Sequence, residues 1–325
     1  MIIGLTYDLR DDYLSMGFSE EDAAEFDKIE TIIAIEESLH RLGHTTERIG
    51  HLRSLISALA SGKRWDMVFN ICEGFYGIGR EAQVPALLDA YRIPYVFSNP
   101  LVLSLTLDKG MTKRIIRDAG IPTAPFAVVK ETADIDRINL SYPLFVKPVA
   151  EGTGKGISGK SVVRNTSELK EQCLFLLERF NQPVLVESYL SGREFTVGIT
   201  GTGAKAECTG VMEIHLTNEA EQGVYSYVNK EDWEVRCTYT LAHGRVAREC
   251  EEVALAAWLV LGCEDGGRVD LRHDSAGVPN FIEVNPLAGM NPVYSDLPML
   301  SRMNHIDFDE LIRRIMDSAI QKIRP

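Results

Sequence analysis

The first hundred residues alternate short β-branched runs with segments of helical periodicity. Residues 2–6 read as a strand, 23–42 as a helix, 67–70 as a strand, 81–91 as a helix and 95–97 as a strand. Within the long helix Phe26, Ile29 and Ile33, and likewise Ile32, Leu39 and Leu42, recur at helical spacing, and Gly43 supplies a left-handed stop. The alternation predicts a parallel, doubly wound sheet.

Near residue 100 the texture changes. Asn99-Pro100 breaks the pattern, and a polar helix bearing Asp108, Lys109 and Lys113 leads to Gly120-Ile-Pro122. A second, α+β unit follows: a strand at 144–147, a glycine-rich stretch, a strand at 161–163, a helix at 168–180 and a strand at 184–187. The remainder holds a strand at 194–200, a polar segment at 225–233, a helix at 247–261, paired strands at 268–271 and 280–285, and an amphipathic helix at 308–323. The expected division is therefore 1–101, 102–187 and 188–325.

A length of 325 residues suits two or three packed domains, each with its own interior. Acidic residues outnumber basic ones 47 to 34, and the resulting net charge of −13 repels phosphate backbones and anionic lipid. Nucleic-acid and membrane-surface binding are disfavoured. Six cysteines without a CxxC pair read as reduced core thiols, predicting neither disulfides nor zinc. No apolar run approaches the roughly 20 residues of a membrane helix, and the chain opens on a strand rather than a basic leader, so a cytoplasmic protein is expected.

The sharpest chemical signal lies in two strand candidates of the last third. Along a strand, alternate side chains share a face, so Arg268 and Asp270 face together in Gly267-Arg-Val-Asp-Leu, as do Glu283 and Asn285 in Phe281-Ile-Glu-Val-Asn. If the strands pair, three oxygen donors and a guanidinium converge. Such a set without His or Cys suits a hard cation that keeps some waters and binds phosphates, Mg²⁺ or Mn²⁺. Either strand alone also reads as the polar face of a solvated hairpin.

Glu151-Gly-Thr-Gly-Lys-Gly-Ile-Ser-Gly159 lets the backbone approach an anion, yet it lacks P-loop spacing and lies between strands. It predicts a flap over phosphates, or an ordinary hairpin loop. Lys147 before it and Lys109 on the earlier helix could place point charges on those phosphates. Val184-Leu-Val-Glu187-Ser-Tyr-Leu190 followed by Gly192-Arg-Glu194 offers exposed backbone and an acid to an adenine edge, and a second acid to ribose hydroxyls.

In order along the chain, Phe69-Asn-Ile-Cys-Glu-Gly, Gly120-Ile-Pro, Phe145-Val-Lys-Pro, Glu151-Gly-Thr-Gly-Lys-Gly, Gly192-Arg-Glu-Phe-Thr-Val, Gly267-Arg-Val-Asp, Ile282-Glu-Val-Asn and Ala288-Gly-Met resemble the D-alanine–D-alanine ligase family of the ATP-grasp superfamily. The resemblance implies an ATP-grasp fold of α/β and α+β units: a doubly wound N-terminal domain, a central ATP-binding domain with the flap, and a C-terminal domain with the metal and catalytic residues. It implies that Lys109, Lys147 and Lys230 bind ATP phosphates, that Glu151 and Thr153 belong to the flap, that Glu187, Tyr189 and Leu190 surround adenine, and that Glu194 holds ribose. Asp270, Glu283 and Asn285 would hold magnesium, while Arg268 and the Gly289 N–H steady an oxyanion. The implied reaction joins two small amino acids through an acyl phosphate, in cell-wall precursor synthesis. A homodimer is also implied, although core packing explains the apolar N-terminal helix equally well.

The chain departs from that family on the amino-acid side. Tyr7-Asp-Leu-Arg-Asp-Asp stands where Gly-Gly-x-Ser-x-Glu supplies an acid for the first substrate's ammonium. Glu25, Asp27 and Glu30 are candidates to replace it, though each also reads as an exposed helix charge. Glu231 occupies the place of a flap-facing Tyr, and Asn285-Pro-Leu-Ala-Gly-Met-Asn291 replaces Asn-Thr-Ser-Pro-Gly-Met-Thr. The two substrates are thereby open: a D-alanine pair, other amino or hydroxy acids, or a nucleotide-binding module without turnover.

Overall fold

The computed structural model describes residues 1–323 except Gln222 and, at Glu231, the side chain. Strand β1 (Ile2–Tyr7) continues through α1 (Arg10–Ser15) to α2 (Ile29–Arg41), β2 (Thr45–Arg48), α3 (Leu52–Ala60), β3 (Met67–Ile71) and α4 (Gln83–Tyr91). The strands form a parallel sheet in the order β2-β1-β3. Ile3 and Leu5 of β1 pack against Ile32, Ile35 and Leu39 of α2 on one face. On the other face Leu55 and Leu59 of α3 and Leu88 of α4 cover Val68. This is the doubly wound layer the alternation predicts.

Two details differ from the pattern. Residues 23–28 are not helical: the Asp27 backbone bridges Leu9, Asp27 N–H donates to the Asp8 carbonyl at 3.1 Å, and Arg10 N–H donates to the Asp27 carbonyl at 2.9 Å. Pairing with the end of the first strand outweighs helical periodicity there and lays 19–28 across the domain as a strap, anchored by buried Ala23 and Phe26. Residues 95–97 form one isolated bridge, Val68 with Tyr95, rather than a strand.

Helices α5 (Pro100–Leu107) and α6 (Lys109–Asp118) follow. Asn99 caps the first, accepting from the N–H groups of Leu101 and Val102, with Pro100 at its first turn. Although the pattern groups them with the central unit, Val102 and Ile116 bury their side chains in the C-terminal core. The central sheet comprises β4 (Phe126–Val129), β5 (Leu144–Pro148), β6 (Val162–Val163) and β7 (Val184–Ser188). Short α7 (Thr132–Ile135) precedes β5, and α8 (Thr166–Phe180) buries Leu169, Cys173 and Leu176 against the sheet.

The C-terminal sheet runs β10-β9-β8-β11-β12, all antiparallel. Its strands are β8 (Glu194–Thr200), β9 (Glu207–Leu216), β10 (Cys237–Leu241), β11 (Gly266–His273) and β12 (Pro279–Asn285). Short helices α9 (Tyr227–Glu231) and α10 (Trp233–Arg236) precede β10, and α11 (Gly244–Leu261) crosses one face. There Trp258 and Ala254 meet Phe195, Val197, Val269, Leu271 and Phe281. The chain ends in α12 (Asp296–Met303) and α13 (Phe308–Ile323). Leu311, Ile315 and Met316 of α13 return to the N-terminal core, and Arg41 of α2 grips Asp309 through two hydrogen bonds of 2.6 and 2.8 Å. The units are thus interlocked through helices of one serving the core of another. The six cysteines are free, five of them buried, and among the described residues no helix is long and apolar enough to cross a membrane.

Gly267 tests the β11–β12 junction. A Cβ there would lie 2.4 Å from the Asn285 carbonyl oxygen and 2.8 Å from the Trp258 ring. Gly267→Ala is expected to lower unfolding free energy by about 1–3 kcal/mol, measured by urea denaturation; an unchanged midpoint would mean the strands separate freely at that point.

Candidate active site

Register places the site. On β11 residues 268, 270 and 272 alternate with buried Val269 and Leu271, so Arg268, Asp270 and Arg272 share the open face. Arg268 pairs with Asn285 and Asp270 with Glu283 across β12, and a bulge after Asp270 resets the register to Leu271 opposite Phe281. The four residues expected to converge do so. Arg268 ion-pairs with Asp270, and its Nε lies 3.6 Å from Asp296 Oδ2. Asp270 Oδ1 accepts from the Thr196 hydroxyl at 2.8 Å, and Asn285 Nδ2 is 3.5 Å from Asp270 Oδ2.

Burial opposes every charge here, and neighbours decide the outcome. Glu283 is desolvated, yet Lys109, Lys147, Lys230 and Arg268 hold its carboxyl well below the usual range. Asp270 moves the other way, raised by burial and by Glu283 despite Arg268. Burial disfavours the Arg268 charge, but Asp270, Asp296 and Glu283 outweigh it and raise its pKa.

Lysines complete the floor. Lys109, at the start of α6, donates from Nζ to the Glu151 carbonyl at 2.6 Å and lies 3.4 Å from Glu283. One turn on, Lys113 is fully buried 2.7 Å from Glu187, which also meets Lys147 at 3.2 Å. Glu187 is desolvated but held ionised by the two lysines. Burial works against the Lys113 charge, whereas Lys147, which also faces Glu283 and Glu194, keeps its charge and lines the first cavity. Lys113 was legible in principle, four residues from Lys109 on the same helix face.

Three adjoining cavities receive every expected site residue. The first is lined by Lys109, Lys147, Glu151, Glu187, Tyr189, Leu190, Glu194, Lys230, Asp270 and Glu283, with Phe145, Ile214 and Ile282 supplying apolar walls. Phe145 and Tyr189 lie nearly parallel, 6.5 Å apart. Glu194 is 3.3 Å from Arg272, whose guanidinium covers the Tyr189 ring. The second cavity shares Lys109, Glu151 and Glu283 with the first and adds Thr153, Arg268, Asn285, Gly289, Glu73 and Glu81. The third shares Thr153, Arg268 and Gly289 with the second and opens among Asp27, Lys28, Trp233, Tyr239, Tyr294 and Asp296.

Asp270, Glu283 and the Asn285 amide form an oxygen-only donor set on one sheet face, which fits a hard cation. Among the described residues no three His, Cys, Asp or Glu side chains gather as a closed cage, so such an ion would depend on phosphate oxygens for its remaining ligands.

Residues 115–317 match the family model described as D-ala D-ala ligase C-terminus. The D-alanine–D-alanine ligase of Bordetella pertussis is 35% identical over 277 residues, covering 84% of this chain and 83% of that protein. The chain belongs to the D-alanine–D-alanine ligase family. The Aquifex aeolicus enzyme of that name is 32% identical over 292 residues, 87% of this chain and 92% of that one. The fold is shared with the D-alanine–D-alanine ligase of Bacillus anthracis complexed with ATP, at a TM-score of 0.75 and 22% identity over 99% of this chain and 98% of that one. It is also shared with VanG D-Ala:D-Ser ligase from Enterococcus faecalis, at 0.75 and 19% identity over 98% of this chain and 99% of that one.

Within this ATP-grasp family the departures now have positions. Asp8, at the end of β1, is occupied structurally, accepting from the Tyr13 hydroxyl at 2.6 Å and from Gly74 N–H at 2.9 Å. Of the three replacement acids, Glu30 is exposed on α2, Asp27 lines the third cavity, and Glu25 lines the second and third while accepting from Gly152 N–H and from Arg80. The Glu231 side chain lies outside the described residues. Pattern reading missed Glu73, Glu81 and Asp296 as cavity residues, because only the packing of separate units brings them to the walls.

Asp27 predicts a pH dependence. Burial, helped by Asp8 and opposed by a Thr31 hydrogen bond, pushes its carboxyl from 3.8 up to about 7. The unfolded chain therefore releases this proton first, so the Asp27 contribution to stability is complete below about pH 4 and erodes as pH rises to about 7. Asp27→Asn should become progressively more stable than the parent protein as pH rises over that window, read as the difference in thermal midpoints. A pH-independent difference would refute the assignment.

Proposed function

We propose that the chain is an ATP-dependent ligase that phosphorylates the carboxylate of one small amino acid and joins it to the amine of a second, with D-alanine the first substrate to test. The observation that carries this reading is the order of the cavities. The middle one shares Lys109 and Glu283 with the nucleotide cleft and Arg268 and Gly289 with the outer one. A carboxylate seated there would meet the terminal phosphate on one side and an incoming amine on the other.

The chemistry follows from that seating. A carboxylate oxygen attacks the terminal phosphorus and the bond to ADP breaks, giving an acyl phosphate. The amine nitrogen then attacks the carbonyl carbon, and phosphate leaves. Lys109, Lys147 and Lys230 would hold the phosphates, and the Arg268 guanidinium with the Gly289 N–H would receive the negative charge that grows on the carbonyl oxygen. Magnesium or manganese held by Asp270, Glu283 and Asn285 would supply further charge neutralisation at the phosphates. Glu73 and Glu81 are proposed to face the first substrate's ammonium. Burial raises both carboxyls, with Glu81 and Glu25 adding repulsion at Glu73 and Glu25 doing so at Glu81, which rises to about 7 despite Arg80, so a cation nearby would relieve the crowding of acids.

Asp296 beside Arg268, with Asp27 across the outer cavity, favours keeping a second reading: a pair other than two D-alanines. Phosphate release from Mg²⁺-ATP, screened over D- and L-amino acids and hydroxy acids, separates the readings. Release with D-alanine alone supports the first and release only with another pair supports the second, whereas nucleotide binding without release leaves a binding module. Dimer formation and a place in cell-wall precursor synthesis are further proposals from family membership, the former open to sedimentation analysis. Glu283→Gln is expected to cut turnover by about 10²–10³ or more while leaving the thermal midpoint near the parent value; full activity would reject the metal assignment.

A further inference from the structure

We propose that Arg272 is a positioning residue of the nucleotide cleft, holding Glu194 and Tyr189 so that the cleft takes a ribonucleotide in preference to its 2′-deoxy counterpart. This rests on the reading of that cleft as the ATP site and of Glu194 as the acceptor of ribose hydroxyls. Register brings the pair together: Arg272 of β11 stands opposite Glu194 of β8, and both side chains line the first cavity. Arg272 Nη1 lies 3.3 Å from Glu194 Oε2, and the two side chains are only 14% and 22% exposed, so solvent screens the pair little.

The other nitrogens of the guanidinium are committed to protein as well. Nε donates to the Gly192 carbonyl at 3.3 Å, while Nη2 donates to the Gly223 carbonyl at 3.1 Å and to the Tyr189 hydroxyl at 3.3 Å. The Tyr189 hydroxyl donates to the same Gly223 carbonyl at 2.8 Å, and the guanidinium carbon lies over the Tyr189 ring, 5.2 Å from its centroid. An arginine engaged on all three nitrogens is ill suited to grip a phosphate. What it does to a ligand it does through the residues it holds.

The other acids of the first cavity are answered elsewhere: Glu187 by Lys113 and Lys147, Glu283 by Lys109, Asp270 by Arg268 and Glu151 by Lys155. Among the described residues Arg272 is the one cation in ion-pairing reach of Glu194, and it meets a single oxygen. The other oxygen is left to the cleft. Burial works against the Glu194 charge and raises its pKa, with Arg272 the largest opposing influence. A fixed, ionised carboxylate accepts well from a ribose hydroxyl, and a site built that way rejects an analogue lacking the hydroxyl because its own acceptor is left unpaired. Without Arg272 the carboxylate would take up a proton more readily and turn freely, so the loss falls on the sugar edge of the nucleotide rather than on its phosphates.

The test is calorimetric binding of Mg²⁺-ADP and Mg²⁺-2′-deoxyADP to the full chain, for the parent, Arg272→Met, Arg272→Lys and Glu194→Gln, with thermal midpoints as a folding control. The parent should prefer ADP by about tenfold or more. Arg272→Met, which keeps an apolar stem in place, should lose most of that preference while binding 2′-deoxyADP about as the parent does. Glu194→Gln should lose it likewise, and Arg272→Lys, which keeps the charge without the planar fork, should recover part of it. Equal binding of the two nucleotides by the parent overturns the proposal. So does a preference that survives in Arg272→Met, with or without a lower midpoint, since Arg272 would then be a structural tie alone. Loss in Arg272→Met with none in Glu194→Gln overturns it too, because the effect would not pass through Glu194. A parent that binds neither nucleotide sinks the nucleotide reading along with it. A parent that shows the whole pattern yet releases no phosphate with any amino-acid pair costs the ligase reading and leaves the role of Arg272 supported.

Discussion

The antiparallel register of β11 and β12 is the constraint from which the rest of the site follows. It puts Arg268, Asp270, Glu283 and Asn285 on one face of a sheet whose other face is sealed by Trp258, Ala254 and Leu261. Charges in that position are partly stripped of water and must find partners within the protein. Lys109 answers Glu283, Asp296 and Asp270 answer Arg268, and Lys113 and Lys147 answer Glu187 on the neighbouring sheet. The register is thus coupled to the placement of α6 and of the central sheet, because each supplies a charge that the C-terminal sheet cannot balance alone.

That coupling explains why the cavities lie between units rather than inside one. Helix α6 buries Ile116 in the C-terminal core yet turns Lys109 and Lys113 toward the central sheet. Helix α13 leaves the C-terminal sheet to pack on the N-terminal one, and buried Asp265 accepts from Phe97 N–H at 2.8 Å while pairing with Lys322 at 2.7 Å. Two of the three joints are therefore tied by buried apolar contact and hydrogen-bonded charge. The glycine-rich loop meets the N-terminal strap chiefly through polar groups, a contact that can open without exposing a core.

How much of this was readable from residues depends on the range of the interaction. Period-two alternation was enough for the β11 and β12 faces, and the same rule carried one step further reaches Arg272. Helical spacing reached Lys109 and would have reached Lys113. The pattern failed at residues 23–28, where the apolar residues that mimic a helix are instead held by a bridge to Leu9. It also grouped α5 and α6 with the central unit, where Leu107 does join Val149, Ala150 and Leu185, but it did not reach the second core in which Val102 and Ile116 are buried, because sequence proximity says nothing about which core an amphipathic face will find. Glu81 and Asp296 carry no local signature, and Glu73, though inside the Phe69-Asn-Ile-Cys-Glu-Gly motif, shows no role there; all three meet the site only after the units have packed.

The same reasoning explains why the nucleotide side reads clearly and the amino-acid side does not. In the proposed reading, phosphates are met by lysines and backbone held on strands and a helix next to their own sequence landmarks, so Lys109, Lys147 and the glycine-rich loop announce themselves. The middle and outer cavities, proposed to take the amino acids, are walled instead by the strap, by residues 289–296 and by the α9–α10 segment, three connections far apart in the chain. Side chains on such connections can be exchanged without disturbing a core, provided the charge balance of the cavity is kept. In this chain Asp8 is tied up by Tyr13 and Gly74, while Glu25, Glu73, Glu81 and Asp296 all line these cavities. Under the proposed ligase reading, carboxylates on several walls leave more than one pose open to the cationic group of an entering amino acid, whereas the lysines fix the phosphate end to one side.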